Sequence, residues 1–337
     1  VRRRVLGSTH PVVALTLTTL IDLDMAEGRL ADADARFREA LAVEQAVIDD
    51  LLPHATEREQ QAFLRTRLPI GLVTGAALIA DGETQEARTA TAFAHLLQRK
   101  SLRLDVQTAR LRTIRAAQGA DTTAVQLLGK LQAVGQRLAQ ETFAGPGAEG
   151  PEAYRARLDT LRARRVVLEN QFARASADVL ARPGLADADA VAAAVPEGEH
   201  LVEYVRLRPY EFGAASEDPR WQDARYVAFV TGRAAPVRLV DLGVATEIDS
   251  LVAQFRMQVV APQRMGLARQ RRARRAFDAT ANALYARLLA PLGLDAAAAL
   301  RIAPDGARHT LPFEALRDGD GAFVTDTRRV SYLTSSR

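Results

Sequence analysis

Between residues 181 and 200 the chain changes texture, and that change restricts its fold more than any other feature. Upstream, apolar residues recur every three or four positions. Downstream come LVEYV from Leu201, YVAFV from Tyr226 and VRLV from Val237, each nearly continuous in apolar, β-branched and aromatic residues. A strand with one wet face alternates apolar with polar, whereas a strand without alternation is covered on both faces. The sequence therefore calls for an α-helical region followed by an α/β region, with the boundary in ARPGLADADAVAAAVPEGEH. A length of 337 residues with 48% hydrophobic content is enough for two such cores.

The first fifty residues read as a helical hairpin. Leu17 and Leu20 share a face of the first helix, Gly28 breaks it, and Ala33, Phe37, Ala40 and Leu41 mark one face of the second. The small residues Ala33 and Ala40 let paired helices approach closely, with Phe37 filling the gap. Residues 51–118 continue as helices, with Pro53 and Pro69 as starts or kinks and Gly82 and Gly119 as stops. Beyond Asp121, a candidate N-cap, Leu127, Leu131, Val134 and Leu138 form one apolar stripe. After the loop AGPGAEGPE, Tyr154, Leu158, Leu161, Leu168, Phe172, Ala175 and Val179 form another, interrupted at Arg165. The two helices are expected to pack as an antiparallel hairpin.

In the carboxy-terminal part, TGRAAP is short enough to join two strands as a hairpin. The longer loop RPYEFGAASEDPRWQDAR holds the only tryptophan, Trp221, expected as a lid over the sheet edge. From Ile248 to Leu289 helical spacing returns, with Ile248, Leu251, Val252 and Phe255, then Phe277, Ala281, Leu284, Leu288 and Leu289, facing a core. Between them Arg269, Arg271, Arg272, Arg274 and Arg275 read as a solvated helix face, because no aromatics are interleaved as single-stranded nucleic acid would need. The segment RIAPDGARHTLPFEAL, 301–316, reads as a short buried strand, a Pro304-Asp305-Gly306 turn and a short helix entered through Pro312.

That order of segments, ending in RRVSYLTSSR, resembles the first half of a CHAT domain, a caspase-like module commonly attached to tetratricopeptide repeats. GRLADADARFREALAVEQ, 28–45, resembles a terminal tetratricopeptide repeat. The resemblance implies three parts: a terminal repeat-type hairpin over 1–50, a helical connector over 51–185, and the amino-terminal half of a CHAT domain over 196–337. It implies a cysteine endopeptidase whose repeats bind a protein partner and whose substrate is a polypeptide. An ordinary helical hairpin is the lesser alternative for 1–50, kept because a single repeat shows no internal periodicity.

The family's chemistry needs a thiolate nucleophile and an imidazole that takes and returns its proton. The resemblance puts these at a His-Gly after one central strand and a cysteine after the next. The chain has no cysteine, which excludes disulfides, thiolate metal sites and a thiol nucleophile among these residues. Its histidines, at 10, 54, 95, 200 and 309, are never followed by glycine. No catalytic, cofactor-binding or metal-binding residue is assigned. His309, although inside the signature segment, reads as a surface or packing residue. Asp305 and Glu314 read as turn and helix-start residues in place of an acid/base pair. Ser331, Ser335 and Ser336 lack the glycines of a nucleophile elbow. P-loop, GxGxxG, HExxH and EF-hand patterns are absent.

The active-site strands are expected beyond Arg337, and the first residue, Val1, suggests a segment of a longer protein. The segment alone is thus expected to be inactive, with a non-catalytic scaffold as the alternative role. The formal charge of +4 is a small excess of arginine and disfavours nucleic acid binding. No apolar run reaches the roughly 18 residues of a membrane span. With no export pattern, the cytoplasm is the expected compartment, and the Arg- and Ala-rich usage is that expected of a GC-rich bacterial genome.

Overall fold

A computed structural model describes residues 3, 6–51, 63, 68–118, 122–147, 149–175, 188–212, 221–260, 267–294, 299–306 and 311–334. The chain divides into two compact units, Val1–Pro69 with Arg99–Leu185, and Ile70–Gln98 with Ala186–Arg337. The first is helical and the second is built on a mixed sheet.

In the helical unit, α1 (Pro11–Ala26) and α2 (Leu30–Asp50) form a tight pair. Gly28, at a φ of +72°, makes the turn, a conformation that costs glycine little. Ala33, Phe37 and Ala40 are buried as their spacing predicts, and Leu41 is half-buried. On α1, Leu17 is buried but Leu20 is exposed, because the buried face runs through Val13, Leu17 and Ile21 at four-residue steps. Asp24, also buried, is neutralised by Arg29 at 2.8 Å and by Arg36.

The second pair comprises two later helices of this unit, separated in sequence from the first by helices described below. They are Thr122–Ala144 and Pro151–Ala175, which pack as the expected hairpin along Leu131, Val134, Leu138, Tyr154, Leu158, Leu168 and Phe172. Arg165, which interrupts the second stripe, forms an ion pair with Glu169 at 3.4 Å. Pro53, His54, Gly119, Asp121 and Val179 lie outside the described residues, as does the Ala175 side chain.

The sheet unit begins with α3 (Ile70–Leu78) and α4 (Gly82–Gln118, of which Gly82–Gln98 belong here). Numbering the helical hairpin above α5 and α6, the unit continues with α7 (Ala188–Ala194), β1 (Glu199–Leu207), β2 (Arg225–Gly232) and β3 (Arg238–Val244). Then follow α8 (Ala245–Val260), α9 (Leu267–Leu288), β4 (Ala299–Ala303), α10 (Val324–Thr327) and β5 (Val330–Tyr332). The sheet order is β3-β2-β1-β4-β5. β1, β2 and β3 form an antiparallel meander, while β4 joins β1 in parallel and β5 joins β4 in parallel. The parallel step is made by the α8–α9 crossover, since a parallel neighbour cannot be reached by a hairpin. The sharp β2–β3 turn places Ala234 at a φ of +50° and is held by Thr231 donating to the Ala235 carbonyl at 2.8 Å.

Both faces of the central strands are covered, as the unbroken apolar runs of β1 and β2 require, whereas the edge strands β3 and β5 are largely half-buried or exposed, so the expectation for VRLV does not hold. On one face, Val202, Tyr204, Tyr226, Ala228, Val230, Leu300 and Ile302 pack against Ile248, Val252 and Phe255 of α8 and Ala281, Leu284 and Leu288 of α9. On the other, Leu201, Val205, Val227 and Phe229 are buried, and Phe93 of α4 meets Phe229 with ring centroids 5.4 Å apart. Each large side chain removed from water in this way contributes about 1.5–3 kcal/mol. α3 also packs against β3. Among the described residues, no helix is long and apolar enough to cross a membrane.

Candidate functional site

In an open sheet, ligand chemistry belongs at the carboxyl ends of the parallel strands. Here those ends are Leu207 of β1, Ala303 of β4 and Tyr332 of β5. The Pro304-Asp305-Gly306 turn follows β4 directly, as the sequence predicts. Asp305 Oδ2 accepts the backbone N–H of Arg206 at 2.8 Å, so the turn is fastened to the end of β1. Gly306 sits at a φ of +61°, and a Cβ there would fall 2.7 Å from the Tyr226 hydroxyl. That hydroxyl donates to Asp249 Oδ1 at 2.6 Å, and Asp249 Oδ2 lies 3.4 Å from Arg206 Nε. Glycine is thus required twice, by backbone sign and by space.

The helix expected after Pro312 is a single 3-10 turn, Phe313–Ala315, with Pro312 in extended conformation just before it. Its first residue, Phe313, is fully buried and stacked on Tyr204, with ring centroids 5.3 Å apart. Glu314 does not face Asp305's turn as an acid/base partner would. It accepts the Tyr332 hydroxyl, which in turn accepts the Phe313 N–H at 2.8 Å. Partial burial of the hydroxyl end, reinforced by the hydrogen bond to the Glu314 carboxylate, pushes the Tyr332 phenol well above its ordinary range, although the residue as a whole is 44% exposed.

Downstream, Arg317 anchors the chain to α9. Its Nη1 lies 2.5 Å from Asp278, its Nε donates to the Gly321 carbonyl at 2.8 Å, and its guanidinium covers the Phe323 ring at 4.6 Å. At the opposite end of the strands, Glu199 of β1 pairs with Arg301 of β4 and with Arg329, 2.8 Å away, just ahead of β5. Hydrogen bonding to Arg301, and then to Arg329, holds its carboxyl below the usual range despite partial burial.

Trp221 is half-buried and packs against α3 at Gly71. Its ring meets Tyr210 edge-on at 4.9 Å, and its backbone pairs with Tyr210 in an isolated bridge. This short arm rests on α3 at Gly71, where a Cβ would stand 1.9 Å from the Arg208 carbonyl oxygen. Gly75, one turn on, leaves room for the Tyr210 backbone in the same way. These contacts were missed in the sequence, where two glycines four apart in LPIGLVTGAALIA were the available signal.

His309, Ser335 and Ser336 lie outside the described residues. Ser331, on exposed β5, donates to the Leu300 carbonyl at 3.3 Å and so serves strand pairing. Among the described residues no group of His, Asp or Glu has the arrangement of a metal site. What this geometry does chemically is hold strand ends in register: its carboxylates, phenols and guanidinia are engaged with one another, and the chain carries no thiol to act beside them.

Residues 278–337 match the family model described as CHAT domain, a stretch from the second half of α9 through β5. No curated protein and no solved structure matches the chain.

Proposed function

We propose that this chain forms the framework half of a caspase-like cysteine endopeptidase of the CHAT type, coupled to a repeat-like helical region that binds a protein partner. The observation that carries the reading is the CHAT match over 278–337, falling on the segment whose turn, 3-10 helix and strand end are fastened to one another. The parallel step from β1 through β4 to β5 supports it, because it lines up three carboxyl ends at which a substrate chain and catalytic groups could meet. The close α1/α2 packing over Ala33 and Ala40 supports the repeat-like part. With no cysteine in 337 residues, a thiolate would come from residues that this chain does not contain, and the chain alone would cleave nothing. The cytoplasm, where such a thiol stays reduced, is the compartment we assign.

A second reading is a non-catalytic scaffold, favoured by one observation: the polar groups at the strand ends are spent on structural hydrogen bonds. The test is to express the native reading frame that encodes this segment and treat it with an unfolded casein substrate and a thiol-directed ketone probe. Proteolysis abolished by the probe supports the peptidase. A folded product that neither cleaves nor takes up probe leaves the scaffold.

A further inference from the structure

A pocket of about 390 Å³ lies between α8, α9 and the residue that caps α10, lined by Gln258, Ala273, Arg274, Phe277, Asp278 and Phe323. Its two rings are held from outside the pocket. Phe277 packs on Phe255 with ring centroids 5.1 Å apart, and the Arg317 guanidinium covers Phe323 at 4.6 Å. Ala273, Phe277 and Phe323 are each half-buried, so part of their apolar surface is left to the cavity. The volume falls at the small end of the range of ligand pockets and admits one bulky side chain with a short length of backbone.

The polar groups of the lining are unequally satisfied. Thr280 is buried and donates its hydroxyl proton to the Ala276 carbonyl at 3.0 Å, so towards Gln258 it can only accept. Gln258 Nε2 donates to it at 3.1 Å, which fixes the amide and turns Oε1 away from Thr280. That oxygen is buried and meets no donor among the described residues, a state that costs stability until a donor reaches it. Asp278 is engaged by Arg317 at 2.5 Å, whereas Arg274 stands 4.0 Å from the same carboxylate, at the outer limit of an ion pair. On the Phe323 side, the Asp326 carboxylate accepts the Phe323 N–H at 3.0 Å. The Arg274 side chain is 73% exposed, and Arg271, three residues earlier on the same side of α9, is exposed without a carboxylate partner among the described residues. The rim on this side is therefore cationic.

We propose that this pocket captures the carboxyl-terminal residue of a polypeptide partner whose last side chain is apolar. Such a residue carries the three groups that the lining calls for: an apolar side chain against Phe277 and Phe323, a backbone N–H for Gln258 Oε1, and a terminal carboxylate for Arg274. Pairing of a carboxylate with a guanidinium is the strong, directional part of this match. Capture of a terminal carboxylate is an established mode of peptide recognition. An internal apolar residue offers the first two groups without the third, and a phosphate offers the charge without the side chain. All the lining residues belong to the sheet unit, and the pocket is independent of the peptidase reading and serves a scaffold equally.

The probes are three short acetylated peptides: Gly-Ser-Ala-Leu with a free carboxylate, the same peptide as its carboxamide, and Gly-Ser-Ala-Ser with a free carboxylate. Each is titrated into the full 337-residue chain and followed by amide chemical shifts, with Ala273, Phe323 and the Gln258 side-chain amide as reporters. The free-acid leucine peptide is expected to bind at least about tenfold more tightly than either of the others. Arg274→Gln should bring it down to the affinity of the carboxamide, with circular dichroism unaltered because the side chain is exposed. Arg272→Gln, outside the lining, should leave it unchanged. Ala273→Leu narrows the pocket and should weaken the leucine peptide about tenfold; should that variant fail to fold, Arg274→Gln decides alone. Equal binding of acid and carboxamide, an acid preference that survives Arg274→Gln, an equal loss in Arg272→Gln, or no shift at the reporters at millimolar peptide overturns the proposal.

Discussion

The Tyr332 hydroxyl accepts the Phe313 N–H at 2.8 Å while donating to the Glu314 carboxylate, so one phenol fastens β5 to the 3-10 helix at the end of the signature segment. Replacing it with Phe keeps the ring but leaves the amide of a fully buried residue without its acceptor. Tyr332→Phe is expected to cost about 1–3 kcal/mol. It should raise the hydrogen-exchange rate of the Phe313 amide selectively over amides in β1. Unaltered protection at Phe313 would mean that the bond contributes nothing.

Gly71 offers a test of sign. In an exposed helix Gly→Ala gains about 1 kcal/mol of helix propensity. At Gly71 the added methyl would stand 1.9 Å from the Arg208 carbonyl, a contact that backbone on both sides cannot relieve locally. Gly71→Ala is therefore expected to destabilise, and to free the arm carrying the only tryptophan. Trp221 emission should shift to the red and become more accessible to iodide. Gly75→Ala, with its nearest atom at 3.0 Å, should do the same more weakly. Stabilisation by either substitution would show that the close approach is absent in solution.

The sequence made some of this legible because the signals are local. Val202 and Tyr204 enter one face of β1, Leu201 and Val205 the other, and both sets are apolar, so two covered faces could be read from five residues. The Pro304-Asp305-Gly306 turn was legible for the same reason. Which helices cover the second face was not: Gly71 and Gly75 gain meaning only opposite Arg208 and Tyr210, more than 130 residues away in the chain. Likewise Tyr332 reaches Phe313 only because β5 pairs with β4 in a particular register, which no periodicity encodes. The short helix after Pro312 was legible from local signals, but the stacking of Phe313 on Tyr204 was not, since it joins residues more than 100 positions apart. The exposure of Met257 on α8 was hidden among core-like spacings, since Phe255 and Met257 look alike until the structure assigns their faces.

Glu199 joins β1 to β4 and to the segment ahead of β5 through Arg301 and Arg329. Its carboxyl is held below the ordinary 4.5, so the unfolded chain binds its proton first as pH falls. The contribution is present above about pH 4.5 and is lost on acidification through the folded value. Arg329 is 77% exposed, so its share is screened, and Glu199→Gln should cost only about 1 kcal/mol at pH 7. Urea unfolding at pH 7 and pH 3.5 should show the gap between wild type and Glu199→Gln narrowing in acid. A constant gap would assign the effect to packing.

His10 supplies a pH dependence of the other kind, inside the helical unit. It is 3% exposed, its Nδ1 accepts the Val12 N–H at 3.2 Å as the cap of α1, and its Nε2 lies 3.0 Å from the Tyr154 hydroxyl. Nδ1 as acceptor requires a neutral ring with the proton on Nε2, which then donates to Tyr154, whose hydroxyl in turn donates to the Thr142 carbonyl at 3.4 Å. Burial is the main cause that holds the imidazole below its usual 6.5, and the Arg162 charge adds to it against the opposing Thr142 backbone interaction. The unfolded chain therefore takes up this proton first. The stabilisation is complete above pH 6.5 and is withdrawn as pH falls below it, together with the cap, which a protonated Nδ1 cannot provide. Hydrogen exchange of the Val12 amide should accelerate between pH 7 and pH 5 beyond the intrinsic trend. His10→Asn keeps a side-chain acceptor for the cap without a titrating group, so it should remove that excess while costing about 1 kcal/mol or more from the lost contact with Tyr154. If wild type and His10→Asn follow the same pH profile at Val12, the ring is not the titrating element.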